Sequence, residues 1–269
     1  MIPEINGRPI FPVPKFSEDF FDEVIEKIGG RRLTIDELSK LGKNSDYVIP
    51  GATIELKILE EEGLKKKDRQ DKIANLFSIL KTNSDIVNID PQKIPIEIKN
   101  DFIKAISGPI KTSITKAAKQ IKSTKLGLKR PFDLGILVFV NNGYKFLDIQ
   151  SLLKISLNHA KHDTSQIDFV FCTSIEYHQG DFDSYVICES QYDSIVGISN
   201  NETLNNLRIA INEKFTELMT QMIKDLRNPE LWNKNASPVK DIIFQRFGVE
   251  FRKLAPKVPD SRYNKNDRR

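Results

Sequence analysis

The sequence contains few cysteines and histidines, and this shortage excludes several kinds of protein. Two cysteines and three scattered histidines in 269 residues cannot form a disulfide framework or a zinc site with the usual ligand spacing. Cys172 and Cys188 lie in predicted strands and are expected to be buried thiols. Their scarcity favours a cytoplasmic protein.

Long apolar runs and nucleotide-binding signatures are also missing. The most apolar run, Ile136–Val140, has the length of a strand, and the N-terminus has no basic start followed by an apolar region. These absences predict that the protein has no membrane partner and no secretory signal. Without a P-loop, a GxGxxG motif, a nucleophile elbow or a kinase motif set, an enzyme acting on a small phosphate compound ranks last among the functions considered.

The segment from Asp46 to Lys57 predicts a tight β-hairpin with one apolar and one charged face. If Pro50 and Gly51 form a two-residue turn, Asp46 lies opposite Glu55 and shares a face with Glu55 and Lys57. The opposite face is then apolar and is formed by Tyr47, Ile49, Ile54 and Leu56. A three-residue loop would instead move Asp46 to the apolar face, because a shift of one residue inverts every side chain.

Two carboxylates and an ammonium group held on a rigid sheet suit a divalent metal and an activated water. The alternative is a solvated strand edge, because a Glu-x-Lys tripeptide occurs by chance in many strands. The pattern of Asp46 followed by Glu55-Leu56-Lys57 resembles the PD-(D/E)XK nuclease superfamily, which has the restriction-endonuclease-like fold. Two features depart from the family signature: Ser45 precedes Asp46 where proline is common, and the gap to Glu55 is short.

The resemblance implies a set of site residues and a cofactor. Asp46 and Glu55 would bind Mg²⁺, with Mn²⁺ as an alternative, and Lys57 would orient or activate the attacking water. The superfamily often adds an acid from the first helix, for which we choose Glu23 ahead of Glu26. A polar residue from a later helix is expected to be Gln120. The predicted catalytic residues are therefore Asp46, Glu55, Lys57, Glu23 and Gln120.

Two basic runs indicate a polyanionic partner. The residues from Lys111 to Arg130 include seven basic residues and no acid, and those from Arg252 to Arg269 include seven basic residues against two acids. A solvated helix and a soluble tail would explain either run alone. The predicted nucleic-acid-binding residues are Lys111, Lys116, Lys119, Lys122 and Lys125. DNA is the expected ligand, and a second copy of the chain or a subunit of a defence complex is the expected protein partner.

The order of predicted elements is that of an α/β protein: a restriction-endonuclease-like mixed sheet flanked by helices, with a helical C-terminal addition. The expected domains are an extended arm at 1–16, a nuclease core at 17–190 with an insertion at about 60–110, a helical region at 191–255 and a basic, disordered tail at 256–269. The predicted helices are 17–28, 34–42, 65–80, 112–125, 148–159, 203–226 and 241–247. The predicted strands outside the hairpin are 94–98, 134–140, 144–147, 167–174 and 184–188.

The function expected from these features is metal-dependent hydrolysis of DNA by an endonuclease or exonuclease. The resemblance extends to bacterial restriction and antiphage-defence nucleases. The alternative is a non-catalytic nucleic-acid-binding or assembly subunit that retains the nuclease fold, with the helix at 203–226 as a partner surface.

Overall fold

The computed structural model describes most of the chain, in residues 4–5, 8–9, 13–34, 37, 44–60, 66–78, 85–89, 94–143, 147–179, 184–197, 201–225, 236–237 and 242–253. Most of the helix predicted at 34–42 and the tail predicted at 256–269 lie outside these residues. The described residues contain five bounded α-helices: α1 (Glu18–Lys27), α2 (Lys67–Ser78), α3 (Ile96–Gly127), α4 (Ile149–Asp163) and α5 (Glu202–Asp225).

The strands in the described residues form one large sheet and three small ones. Their bounds are β1 (Glu4–Ile5), β2 (Arg8–Pro9), β3 (Val13–Pro14), β4 (Arg31–Arg32), β5 (Tyr47–Ile49), β6 (Ala52–Leu59), β7 (Ile86–Asn88), β8 (Leu134–Asn141), β9 (Phe169–Gln179), β10 (Ser184–Ser194), β11 (Ala236–Ser237), β12 (Ile242–Arg246) and β13 (Val249–Lys253). The large sheet has six strands in the order β10-β9-β8-β6-β5-β4. Within this sheet, the pairs β6–β8 and β8–β9 are parallel and the other three pairs are antiparallel, so the chain is a mixed α/β protein with a mixed sheet.

Helices cover both faces of this sheet and divide the core into two clusters. One cluster joins α1 and α5 to the face of β6 that carries Ile54 and Leu56. The other joins α2, α3 and α4 to the opposite face of the sheet, where Leu137 and Phe139 of β8 are fully buried. Alternation of side chains along each strand produces this division. No helix in the described residues is both long enough and apolar enough to cross a membrane.

The predicted hairpin and its register are confirmed. Tyr47 pairs with Ile54, Val48 with Thr53 and Ile49 with Ala52, which leaves Pro50 and Gly51 as a two-residue turn. Gly51 has a φ of 76°, as the third position of a type II turn requires, so a residue with a side chain would be strained there. The apolar cluster fixes the register, because a one-residue slip would turn Ile54 towards the polar face beneath α3 and place the Glu55 carboxylate in the apolar cluster.

The helix predicted at 112–125 is much longer, and the strand predicted at 94–98 is wrong. Helix α3 begins at Ile96 and continues through Pro109 to Gly127, so it includes the last part of the segment predicted as an insertion at about 60–110. Proline removes one helical hydrogen bond, but the apolar stripe continues on both sides of it. This stripe comprises the buried residues Ile98, Phe102, Ile106, Ile110 and Ile114.

The strand predicted at 144–147 lies, apart from Leu147, outside the described residues. One further prediction of local structure is wrong. The helix predicted at 241–247 is instead strand β12, which turns at Phe247 and Gly248 into β13. Both turn residues have positive φ, the backbone of a type I′ hairpin. The region after α5 is therefore not purely helical, and β13 pairs in parallel with β7.

Candidate active site

The candidate site lies on the face of β6 that α3 covers. Side chains alternate along the strand, so Thr53, Glu55 and Lys57 share this face, while Ile54 and Leu56 join the opposite core cluster. Asp46 immediately precedes β5 and stands opposite Glu55 when the register of the hairpin is extended by one residue. The hairpin thus brings the three predicted charged residues into one neighbourhood.

Glu55 is a fully buried carboxylate with an incomplete set of hydrogen bonds. Its exposed fraction is 0%, and its Oε1 accepts a hydrogen bond from Nζ of Lys57. Its Oε2 is buried and has no hydrogen-bond partner among the described residues. Burial, and after it the charge of Asp46, raise the pKa of Glu55 to about 8 against the opposing effects of Lys57 and Gln120. A second cation near Oε2 would favour the ionised form.

Asp46 is the less buried of the two carboxylates. Its Oδ2 accepts a hydrogen bond from the backbone N–H of Leu56 at 2.8 Å. This bond continues the contact between the two strands past Tyr47 and Ile54, which are the pair farthest from the turn. Burial raises the pKa of Asp46, while the Leu56 N–H and the charge of Lys57 lower it. Asp46 is therefore anchored to the backbone of the strand that carries Glu55 and is coupled electrostatically to Glu55.

Helix α3 supplies Gln120, in the place that the sequence predicts. Its side-chain Oε1 accepts a hydrogen bond from Nζ of Lys57 at 3.2 Å, and its Nε2 donates to the backbone oxygen of Asn44 at 2.7 Å. One turn later, Oγ1 of Thr124 accepts from the backbone N–H of Ser45 at 2.8 Å. Gln120 and Thr124 thereby hold the segment that leads into Asp46, and Gln120 also holds Lys57.

Glu23 is not part of this constellation. Helix α1 packs against the opposite face of the hairpin, and the exposed Glu23 forms an ion pair with Lys214 of α5. The α1 acid that affects the pKa of Asp46 is Glu18, in the first turn of the helix. The sequence analysis missed Glu18, because helical periodicity does not reveal which end of α1 approaches the hairpin.

Arg32 is a second residue that the sequence analysis missed. Its guanidinium donates to Asp22 at 2.7 Å, to Glu18 at 3.0 Å and to the hydroxyl of Tyr47 at 2.8 Å. It also lies 5.1 Å from the centroid of the Tyr47 ring. This network ties α1 to β5 next to Asp46. An arginine in a short edge strand gives no sequence signal for such a role.

The five predicted nucleic-acid-binding lysines of α3 divide into different environments. Lys116, Lys119 and Lys122 are exposed. Lys111 is also exposed but lies 3.9 Å from Asp163 of α4. Lys125 does not fit the prediction, because it is only 8% exposed and pairs with Asp168 at 3.5 Å.

The exposed lysines also differ in their direction from the helix axis. At about 100° per residue, Lys116 projects about 40° from Gln120, whereas Lys122 projects about 160° from it. Lys116 is therefore the lysine of this run nearest the candidate site, and Lys122 belongs to the far flank of α3.

The residues present fit a divalent cation bound by few protein ligands. Across the described ranges, no group of three or more His, Cys, Asp or Glu side chains could hold a metal. Mg²⁺, however, commonly uses one or two carboxylates and retains several waters. The unpartnered Oε2 of Glu55 fits this requirement, and the buried hydroxyls of Ser45 and Thr53 likewise lack partners among described residues. Asp46 and Glu55 are thus the residues that would hold the cation.

Comparisons with protein families, with curated proteins and with solved structures give no match to this chain. The arrangement of Asp46, Glu55, Lys57 and Gln120 is therefore the main indication of function. These four residues come from one hairpin and one covering helix, and they form a buried, polar and electrostatically coupled group.

Proposed function

We propose that this protein is a metal-dependent nuclease that hydrolyses DNA phosphodiester bonds, with the PD-(D/E)XK arrangement of residues on a restriction-endonuclease-like core. One observation carries the proposal: Glu55 is fully buried beside Asp46 and Lys57, and its Oε2 has no hydrogen-bond partner among the described residues. Burial of an ionisable group without a full set of partners is costly, and such groups concentrate at functional sites.

The order of elements supports the same proposal. Helix α1 precedes the hairpin of β5 and β6, and α3 leads from the hairpin to β8, which pairs in parallel with β6. A helix before the hairpin and a later helix leading to another strand are what the resemblance implies. The segment between β6 and α3, the C-terminal strands and α5 would be additions to this core.

Each site residue has a chemical role in this proposal. Mg²⁺ or Mn²⁺, when bound, supplies a water of lowered pKa and offsets charge on the scissile phosphate. Asp46 and Glu55 would bind the cation through carboxylate oxygens. Lys57, whose side chain is 22% exposed, can direct its ammonium towards the attacking water or a phosphate oxygen. Gln120 positions that ammonium, because its Oε1 accepts a hydrogen bond from Nζ of Lys57 at 3.2 Å.

The protonation of Glu55 links cation binding to pH. A carboxyl group with a pKa of about 8 is largely protonated at pH 6.5, and it must lose its proton to bind a cation. Cation affinity is therefore expected to rise with pH up to about 8 and to level off above it. Cleavage at subsaturating metal should follow the same profile.

The proposal is tested by comparing cleavage of supercoiled plasmid, linear duplex and single-stranded DNA, with Mg²⁺, Mn²⁺ or EDTA. Replacement Glu55→Ala removes a proposed ligand, and Lys57→Ala removes the proposed positioning cation. Each should lower the cleavage rate by at least about 100-fold while DNA binding remains, since losing one preorganised catalytic group costs about 100- to 1,000-fold. Glu23→Ala and Lys72→Ala, at exposed positions on α1 and α2, serve as matched controls.

Wild-type rates in both Glu55→Ala and Lys57→Ala would eliminate the proposal. Salt-sensitive DNA binding by the wild type, without cleavage under any metal condition, would instead support a non-catalytic DNA-binding subunit.

A further inference from the structure

Phe132 is the most exposed large apolar side chain in the described residues. It lies in the turn between α3 and β8, and 98% of its surface is accessible. An aromatic ring that contributes nothing to the core gains no stability from its apolar surface. A ligand that covers the ring would provide a reason for its position.

The turn that carries Phe132 is well anchored. The backbone N–H of Arg130 donates to the backbone oxygen of Lys125 at 2.8 Å. The backbone N–H of Asp133 donates to the backbone oxygen of Arg130 at 3.2 Å. The guanidinium of Arg130 donates a hydrogen bond to the backbone oxygen of Ile49 at 2.8 Å. The backbone N–H of Leu134 donates to the backbone oxygen of Gly51 at 2.9 Å. Phe132 is therefore presented to solvent from a base that is bonded to the hairpin of the candidate site.

The turn follows a basic stretch of α3 that has one further exposed apolar side chain. Lys119, Lys122 and Lys129 are exposed, and Leu126 is 63% exposed. Lys122, Leu126 and Lys119 fall within about 60° of one another around α3, at about 100° per residue. No acidic residue occurs from Lys111 to Arg130. An exposed aromatic ring that follows a basic helix surface suits a ligand that offers flat apolar groups along a chain of negative charges.

The turn also lies at a useful distance from the candidate site. Glu55 pairs with Leu137 of β8, which is five residues after Phe132 in the sequence. At about 3.3 Å per residue this separation is at most about 16 Å along the sheet. About five nucleotides at duplex spacing cover the same length, and fewer suffice for an extended strand.

We propose that Phe132 is a stacking platform for an unpaired nucleobase, and that the substrate is single-stranded DNA or a duplex with an unpaired end. This inference rests on the proposed nuclease function and specifies its substrate class. Bases inside a duplex are already covered on both faces, whereas an unpaired base can stack on an aromatic ring whatever its sequence. Lys119, Lys122 and Lys129 would hold the adjacent phosphates.

A protein partner fits this surface less well. The centres of protein interfaces are depleted in lysine, whereas three exposed lysines accompany Phe132 and Leu126. A protein contact would moreover change the oligomeric state, which the binding experiment can follow in parallel.

The test measures binding of a fluorescent oligothymidine and of a matched duplex in EDTA, so that metal-dependent cleavage does not interfere. Phe132→Ala should weaken single-strand binding about 5- to 100-fold and leave duplex binding unchanged. Phe132→Trp should restore it. Phe247→Ala removes another exposed ring, 65% accessible on the β12–β13 turn, and should have no effect. The salt dependence should not change for Phe132→Ala, because no phosphate contact is lost.

Unchanged single-strand affinity of Phe132→Ala would overturn the stacking platform, as would an equal loss for duplex or a changed molar mass in light scattering. Metal-dependent cleavage of single strands by Phe132→Ala at the wild-type kcat/KM would also overturn it and leave the nuclease proposal intact. Conversely, the wild-type protein could bind single strands through Phe132 and show no cleavage with any metal tested. That result would support the stacking platform and refute the proposed nuclease function.

Discussion

The two faces of strand β6 differ in how completely their side chains are satisfied. Ala52, Ile54 and Leu56 pack into an apolar cluster closed by α1 and α5. On the other face, Thr53 and Glu55 are equally buried beneath α3, yet each has a polar atom without a hydrogen-bond partner in the described part of the chain. One strand thus carries both a core face and a polar face.

This difference shows which part of the strand serves stability and which part has another purpose. Burying apolar side chains stabilises the fold, whereas burying an unpartnered hydroxyl or carboxylate destabilises it. The polar face of β6 is therefore the part of the strand to which the proposed nuclease function assigns its cation. Substitutions on the two faces should therefore change stability in opposite directions.

The largest effect on stability is expected on the apolar face. Ile54→Ala leaves a cavity in a cluster where Ile54 is 1% exposed, and it should lower the free energy of unfolding by about 2–5 kcal/mol. Urea unfolding measures this change, and Ile209→Ala, at a 51% exposed position on α5, is the control. Cleavage per folded molecule should remain near wild type. A loss smaller than that of the control variant would contradict the assignment of this face to the core.

The difference between the two faces of β6 can be predicted from the sequence, because strand alternation and the Pro50-Gly51 turn are local features. Together they determine the register, and the register determines which side chains share a face. Gln120 could be found in the same way, since it lies beside the apolar stripe of α3. The mixed α/β class likewise follows from the order of helices and strands.

Other features depend on contacts between distant segments. Lys125 is part of a basic run, but the loop before β9 brings Asp168 to it and makes it a buried ion pair. Glu23 and Glu18 are both acids of α1, and only the packing of that helix shows that Glu18 approaches Asp46. The full length of α3 was missed because Pro95 and Pro109 suggest irregular structure, although burial of the surrounding isoleucines sustains the helix.

On the polar face, Glu55→Gln should increase stability. The pKa of Glu55 is raised from about 4.5 to about 8, so the folded protein binds an extra proton between these values. Wild-type stability therefore falls as pH rises through this interval, and the penalty is complete above pH 8. Since one pKa unit corresponds to about 1.4 kcal/mol, the variant should gain a few kcal/mol at pH 9.

Urea unfolding of both proteins at pH 5 and pH 9 measures this gain, which should nearly vanish at pH 5. Glu23→Gln, at an exposed position, provides the matched control and should show no such pH dependence. A variant that is less stable than the wild type at pH 9 would mean that the ionised carboxylate is stabilised in the metal-free fold.

Added Mg²⁺ should sharpen the contrast between the faces in another way. Preferential binding to the folded protein raises the free energy of unfolding by about 1.4 kcal/mol at ten times the dissociation constant. Thermal melting at pH 8.5 should show this gain for the wild type and for Ile54→Val, but not for Glu55→Gln. An equal gain in Glu55→Gln would place the cation elsewhere.

The smallest effect concerns single hydroxyl groups beneath α3. Oγ1 of Thr53 is buried without a partner among described residues, whereas Oγ1 of Thr124 accepts a hydrogen bond from the N–H of Ser45 at 2.8 Å. Thr53→Val should raise the free energy of unfolding by about 1 kcal/mol or less, and Thr124→Val should lower it by about 1 kcal/mol. Both replacements exchange a hydroxyl for a methyl of similar size. Opposite signs of the change in the free energy of unfolding would therefore report the contribution of the hydrogen bond. Urea unfolding can resolve it, and a loss of stability in Thr53→Val would show that the Thr53 hydroxyl has a partner in solution, such as an ordered water.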